Sequence, residues 1–175
     1  MSRRMVGSLL RPSKYLSPES ILYLYKSQIR PKMEYCCHIW GGGAAKTSLS
    51  CLDRVQRRLR YLVGDELFSN IPPLVQRRDV ASLSLFYRYH NGKCSNELHS
   101  LVPPKKEFGR ETRLAKKSHE HTLSIPKIRN KYHEQSFIPR TTMQWNALPS
   151  ECFPENYDLG AFKSNVNRFL LSSYK

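Results

Sequence analysis

The stretch TSLSCLDRVQRRLRYLVG, Thr47 to Gly64, decides the fold class. Leu49, Leu52, Val55, Leu59, Leu62 and Val63 recur at helical spacing, and Gly64 stands where a helix C-cap needs a residue free to leave the right-handed region. The remaining faces carry Arg54, Arg57, Arg58 and Arg60. At about 100° per residue, Arg54, Arg57 and Arg58 share one side, so the helix presents a guanidinium ridge opposite its apolar stripe. Asp53 is the only acid on this stretch, and unpaired arginine at such density points to phosphate as the partner.

Outward from this helix, further helical signals follow in both directions. Ser17-Pro18-Glu19 is a helix start, with a hydroxyl acceptor for orphan amides, a proline with no N–H to lose and an acid at the positive dipole end. Ile21, Leu24 and Gln28 with Ile29 continue it until Pro31, which is expected to kink or restart the helix. The chain is then expected to resume helically from Met33 to Trp40 and end at Gly41-Gly42-Gly43. A third helix is expected from about Pro73 to Tyr89, with Leu74, Val80, Leu83 and Tyr87 as its core row and Asn91-Gly92 as its stop. A short helical turn over 95–101 ends at Pro103-Pro104. These elements predict a mainly α protein whose first 102 residues form a three-helix bundle.

From Lys105 to Lys131 the composition changes. Lys105, Lys106, Arg110, Arg113, Lys116, Lys117, Lys127, Arg129 and Lys131 occur with few large apolar residues, so 103–135 reads as a basic linker. Within it, Leu123-Ser124-Ile125 suits a short strand that Pro126 confines to an edge. Order is expected to return in a small, mostly helical C-terminal segment, 136–175. There Thr141 to Leu148 is helix-like around Met143 and Trp145, and a last amphipathic helix from about Asp158 carries Leu159, Phe162, Val166, Phe169 and Leu170.

The charge distribution follows these blocks. The 175 residues carry a formal charge of +15. Residues 1–64 hold 12 Lys and Arg against 3 Asp and Glu, and 103–140 hold 10 against 4, whereas the other two blocks are neutral. Two basic blocks separated by neutral ones fit a footprint on a phosphate backbone, the alternative being two solvated faces. No apolar run approaches the roughly 20 residues of a membrane span, and the N-terminus lacks a signal-peptide hydrophobic region. The five cysteines are odd in number and sit among apolar neighbours, which suits reduced thiols in the nucleus or cytoplasm rather than secretion.

Catalytic chemistry has no visible foothold. A nucleotidyl transferase needs carboxylates converging on magnesium, but Asp53, Asp65, Asp79 and Asp158 are isolated from one another, and Asp65-Glu66 reads as a surface turn. Gly41-Gly42-Gly43 lacks the Lys-Ser/Thr of a phosphate loop. Cys36-Cys37-His38 and Cys94 with His99 lack finger-like zinc spacing, and His119 and His121 have no orienting partner in sequence. No catalytic residue, metal ligand or cofactor is therefore assigned.

Several segments together resemble one family. Leu24-Tyr-Lys-Ser-Gln-Ile-Arg-Pro-Lys-Met-Glu-Tyr-Cys36, closing on Ile39-Trp40, is followed by Leu52-Asp-Arg-Val-Gln-Arg-Arg58. Then come Arg77-Arg78-Asp79-Val80-Ala81 with Leu85-Phe86-Tyr87-Arg88, Cys94-Ser-Asn-Glu-Leu98, Ser136-Phe-Ile-Pro-Arg140 and Trp145-Asn-Ala-Leu-Pro149. In this order they resemble the region after the catalytic palm in reverse transcriptases of non-LTR, LINE-type, jockey-like retrotransposons. The resemblance implies a thumb-like bundle that grips a template–primer duplex, followed by a C-terminal tail. The family's magnesium-holding paired aspartates belong to its palm and have no counterpart here, so the resemblance implies RNA or RNA–DNA or DNA duplex backbone as partner without polymerase chemistry from these residues. An alternative is an interaction module that docks on a separate polymerase palm or a host protein.

Overall fold

A computed structural model of the chain describes Gly7, residues 11–107 and residues 119–173. The protein is mainly helical. Among the described residues no helix is long and apolar enough to cross a membrane. The packing forms two units, Met1–Arg78 and Asp79–Lys175.

The first unit opens with α1 (Pro18–Leu24), where the Ser17 hydroxyl accepts from the Ser20 amide at 3.3 Å. Pro31 restarts the helix, as its missing N–H requires. The turn before it, Tyr25–Ile29, widens to π-helical form, the Arg30 amide donating to the Tyr25 carbonyl five residues back, and α2 (Arg30–Glu34) begins with the proline in its first turn. The expected helical run to Trp40 is interrupted. Cys36 takes a left-handed conformation with φ of 51°, which ends α2 and starts the short α3 (Cys37–Trp40). The Trp40 Nε1 donates to the Tyr35 carbonyl at 2.7 Å across this break.

Next, α4 (Lys46–Val63) matches the deciding stretch almost residue for residue. Val55, Leu59 and Val63 are buried against Ile21, Tyr25, Ile29 and Met33, with Leu52 and Leu62 packed at the margin. Full burial of such side chains contributes about 1.5–3 kcal/mol each. Gly64 accepts a backbone geometry of φ 81° and ψ 163° that side-chain-bearing residues avoid, turning the chain directly into α5 (Asp65–Ser69). Helix α6 (Leu74–His90) follows. At its start Arg77 makes a two-pronged ion pair with Glu34 of α2, Nε to Oε1 and Nη2 to Oε2 at 2.9 Å.

The cores do not divide where the composition changes. Leu74, at the start of α6, belongs to the core of the first unit, whereas Val80, Leu83, Phe86 and Tyr87 belong to that of the second. The division therefore falls inside α6, at Arg78–Asp79, rather than at 102–103. The physical reason is that two different apolar clusters compete for one helix, and each takes the end whose side chains it can bury.

In the second unit, α7 (Asn96–His99) is a single turn. Of the expected linker, 103–135, residues 108–118 lie outside the described residues, and the stretch around Thr122 and Leu123 is packed into the unit. Leu123 is 2 % exposed, and Thr122 is also buried. The 122–124 segment pairs antiparallel with 104–106 through Lys106 N–H to the Thr122 carbonyl and Ser124 N–H to the Pro104 carbonyl, both 2.9 Å. This gives one isolated bridge, Lys105 to Leu123, in place of the expected strand. An unexpected helix, α8 (Lys131–Gln135), begins at Asn130, whose side chain accepts from the His133 amide at 2.8 Å. Helix α9 (Phe137–Asn146) starts earlier than expected because Pro139 falls in its first turn, where no N–H is needed. Finally, α10 (Leu159–Ser173) begins where Asp158 Oδ1 accepts from the Ala161 amide at 2.9 Å, and Phe162 and Val166 of this helix are fully buried.

Candidate nucleic-acid interface

Helix α4 sorts its side chains into two faces. Val55, Gln56, Leu59 and Val63 point inward, whereas Lys46, Arg54, Arg57, Arg58 and Tyr61 are exposed. Residues three and four apart lie about 5–6 Å apart at Cβ, so Arg54, Arg57 and Arg58 form one contiguous cationic surface. Among the described residues none of these three forms an ion pair with a carboxylate. Asp53 instead lies 3.9 Å from the buried Arg78, whose guanidinium also sits 5.9 Å from the Trp40 ring centre. Arg54 Nη2 is 3.1 Å from the Cys51 sulfur, which places its guanidinium along the helix surface.

Arg60, expected as a further unpaired contact on α4, has a carboxylate partner. Its Nε donates to Asp65 Oδ1 at 2.5 Å, and its guanidinium lies 5.9 Å from the Phe68 ring centre. The hydrogen bond from Arg60 holds the Asp65 carboxyl below its ordinary value and raises the guanidinium in turn. The pair forms because Gly64 folds the next helix back on the last turn of α4, so an acid outside the helix reaches a base inside it. Arg60 is thus neutralised locally.

The other expected contacts are not gathered here. Lys105 and Lys106 are exposed on the second unit, at the isolated bridge. Arg110, Arg113, Lys116 and Lys117 lie outside the described residues. Tyr61, by contrast, is absent from the expected contacts, although it stands four residues after Arg57, three after Arg58 and seven after Arg54. That spacing is the signal the sequence holds.

The second unit has a separate concavity of about 450 Å³ lined by His90, His99, His121, Lys105 and Glu120. His121, expected to lack an orienting partner, has Glu120 Oε1 3.1 Å from its Nε2. Both His119 and His121 pack on the Phe153 ring at 4.7 Å between centres. The His119 Nε2 is 3.2 Å from the Trp145 carbonyl, which can only accept, so that nitrogen carries the ring proton. Among the described residues no group of three or more His, Cys, Asp or Glu is placed to hold a metal ion. No disulfide links the five cysteines, and Cys37 and Cys152 are buried.

Two half-buried histidines set a pH dependence. Burial, aided by His121, His99 and Lys105, pushes the His90 ring below its ordinary value, and burial does the same for His119 against the opposing hydrogen bond to Trp145. Unfolding frees both rings to take up protons near about pH 6.5. The unfolded chain then binds more protons than the folded one as the pH falls through that value, so stability falls with it until the folded rings also titrate. The urea midpoint of the second unit is expected to be lower at about pH 5.5 than at about pH 7.5, and His90→Phe should flatten the difference. A midpoint unchanged over that interval would contradict the lowering of these rings by their partial burial.

No protein-family model, curated protein or solved structure matches the chain.

Proposed function

We propose that this chain binds the sugar–phosphate backbone of nucleic acid without sequence preference, as a catalytically incomplete relative of a retrotransposon polymerase thumb and tail. Arg54, Arg57 and Arg58 of α4 are the principal contacts, with Lys105, Lys106 and the basic residues that follow them as an auxiliary set. The observation that carries this reading is the ridge itself: three exposed guanidinium groups on one helix face, none paired with a carboxylate among the described residues. A ridge of this kind binds phosphates and orients the chain on a strand, but it does not read base edges. No step of chemistry is assigned to it.

The test is the salt dependence of binding. Replacing Arg54, Arg57 and Arg58 with alanine is expected to weaken binding to duplexes of unrelated sequence by the same factor. The slope of log affinity against log salt should become shallower by about 0.9 for each duplex-DNA phosphate that the variant no longer neutralises. Arg60→Ala should change the slope less, because Asp65 already neutralises that guanidinium. An unchanged slope in the triple variant overturns the assignment.

A second reading, a module that docks on a polymerase palm or a host protein, is favoured by a specific feature of the first unit. Tyr23, Tyr35 and Ile39 are 71, 77 and 70 % exposed, apolar area that a docked partner would cover. Filter binding set against gel filtration separates the readings: salt-sensitive retention of nucleic acid supports the first, and concentration-dependent self-association without it supports the second.

A further inference from the structure

Tyr61 is 88 % exposed in the last turn of α4, on the same face as the arginine ridge. A tyrosine left this far out of a core has its ring available to a partner, and here the ring's neighbours along the helix are Arg57 and Arg58. Beside it lies a shallow depression of about 470 Å³ bounded by Arg60, Tyr61, Gly64 and Asp65. Gly64 leaves this flank open, since nothing lies within 4 Å of where a side chain there would begin.

The charge along α4 changes from one end of this face to the other. Arg54, Arg57 and Arg58 offer unneutralised positive charge, whereas the Arg60–Asp65 pair is neutral overall. The carbonyl end of the helix dipole also lies at Val63 and Gly64, where it disfavours an anion. A phosphate is therefore favoured over the arginines and disfavoured at the depression, where an uncharged flat group fits better. A nucleotide whose base is unpaired offers both parts within the roughly 5–6 Å that separates these side chains.

We infer that Tyr61 is a stacking platform for one unpaired base, so that the face formed by Arg54, Arg57, Arg58 and Tyr61 takes single-stranded nucleic acid, phosphates on the arginines and a base on the ring. This inference rests on the backbone-binding reading above and narrows it. A continuous duplex keeps its bases stacked on one another and offers no free face to the ring, so Tyr61 contributes to binding of single strands and not of intact duplex.

The experiment uses the full chain with three fluorescein-labelled probes of equal length: oligothymidylate, the same strand with an abasic backbone, and a blunt DNA duplex. Stacking of a base on an aromatic side chain is worth about 1–3 kcal/mol, which is roughly fivefold to 150-fold in affinity. Tyr61→Ala is expected to weaken oligothymidylate binding by at least about fivefold and to leave the abasic strand and the duplex within about twofold. Tyr61→Phe keeps the ring and should retain wild-type affinity for all three. An unchanged oligothymidylate affinity in Tyr61→Ala, or an equal loss on all three probes, overturns the stacking role while leaving the backbone reading intact if the wild type still binds duplex. Failure of the wild type to bind any probe overturns both.

Discussion

Replacing Trp145 with alanine is expected to destabilise the second unit by about 3–5 kcal/mol, a large part of the roughly 5–15 kcal/mol that holds a typical domain together. The indole is 0 % exposed. Its ring lies 4.8 Å from Phe153, 5.1 Å from His90, 5.2 Å from Phe86 and 5.7 Å from Phe162, measured between centres. These partners come from α6, α10 and the loop between α9 and α10, so one side chain joins most of the unit's elements. The indole N–H also donates to the His121 carbonyl at 2.8 Å. Truncation would open a cavity and leave that carbonyl without its donor, two losses that add. Trp145→Phe should lose less, because it retains an aromatic ring while forfeiting the hydrogen bond. Urea denaturation followed by circular dichroism measures both, and a loss below about 1 kcal/mol for the alanine variant would mean that the indole is not the centre of this core.

Trp145 and its neighbour explain why composition misrepresents the basic segment. Asn146 clamps Leu123 from both sides, its Oδ1 accepting from the Leu123 amide at 2.9 Å and its Nδ2 donating to the Leu123 carbonyl at 2.8 Å. Residues 121–123 are thus ordered by side chains more than twenty positions later, and local composition carries no trace of such a contact. Where the determinants are local, the sequence is legible. The apolar stripe of Lys46–Val63, the Ser17 cap, the restart at Pro31 and the late helix with Phe162 and Val166 are each written within one or two turns of chain. Cys36 is different, because cysteine carries no preference for the left-handed conformation that interrupts the helix there.

The same distinction applies to the interface. Arg54, Arg57 and Arg58 share a face because a regular helix requires it, and the spacing alone predicts this. Counting acids within the helix leaves Arg60 unpaired as well. Its carboxylate partner lies beyond Gly64, in a turn whose φ of 81° brings Asp65 back towards the last turn. Tyr61 is equally legible by position, but an aromatic residue near an apolar stripe reads first as core. Its spacing to the arginines, opposite the stripe, and its 88 % exposure together separate the two roles.

Gln56→Ala is expected to destabilise the first unit by about 2–4 kcal/mol, more than its polar side chain on an apolar stripe suggests. Gln56 is 7 % exposed and faces the core beside Val55 and Leu59. Its Nε2 donates to the Pro72 carbonyl at 3.0 Å, and its Oε1 accepts from the Leu74 amide at 3.3 Å. The Leu74 amide is the first of α6 and has no acceptor within its own helix, so a glutamine sixteen to eighteen residues earlier takes the part of an N-cap. Alanine would strand one donor and one acceptor at a buried position, each worth about 1–3 kcal/mol, offset in part where water reaches them. Gln56→Leu separates hydrogen bonding from packing. Leucine fills similar volume and extends the apolar stripe, so recovery of wild-type stability would assign Gln56 a packing role, whereas a loss close to that of alanine would show that its two hydrogen bonds fasten the start of α6 to α4. Chemical denaturation of the three proteins at one pH is sufficient to decide, and the second outcome is the expected one because the backbone groups at Pro72 and Leu74 remain unmet in both variants.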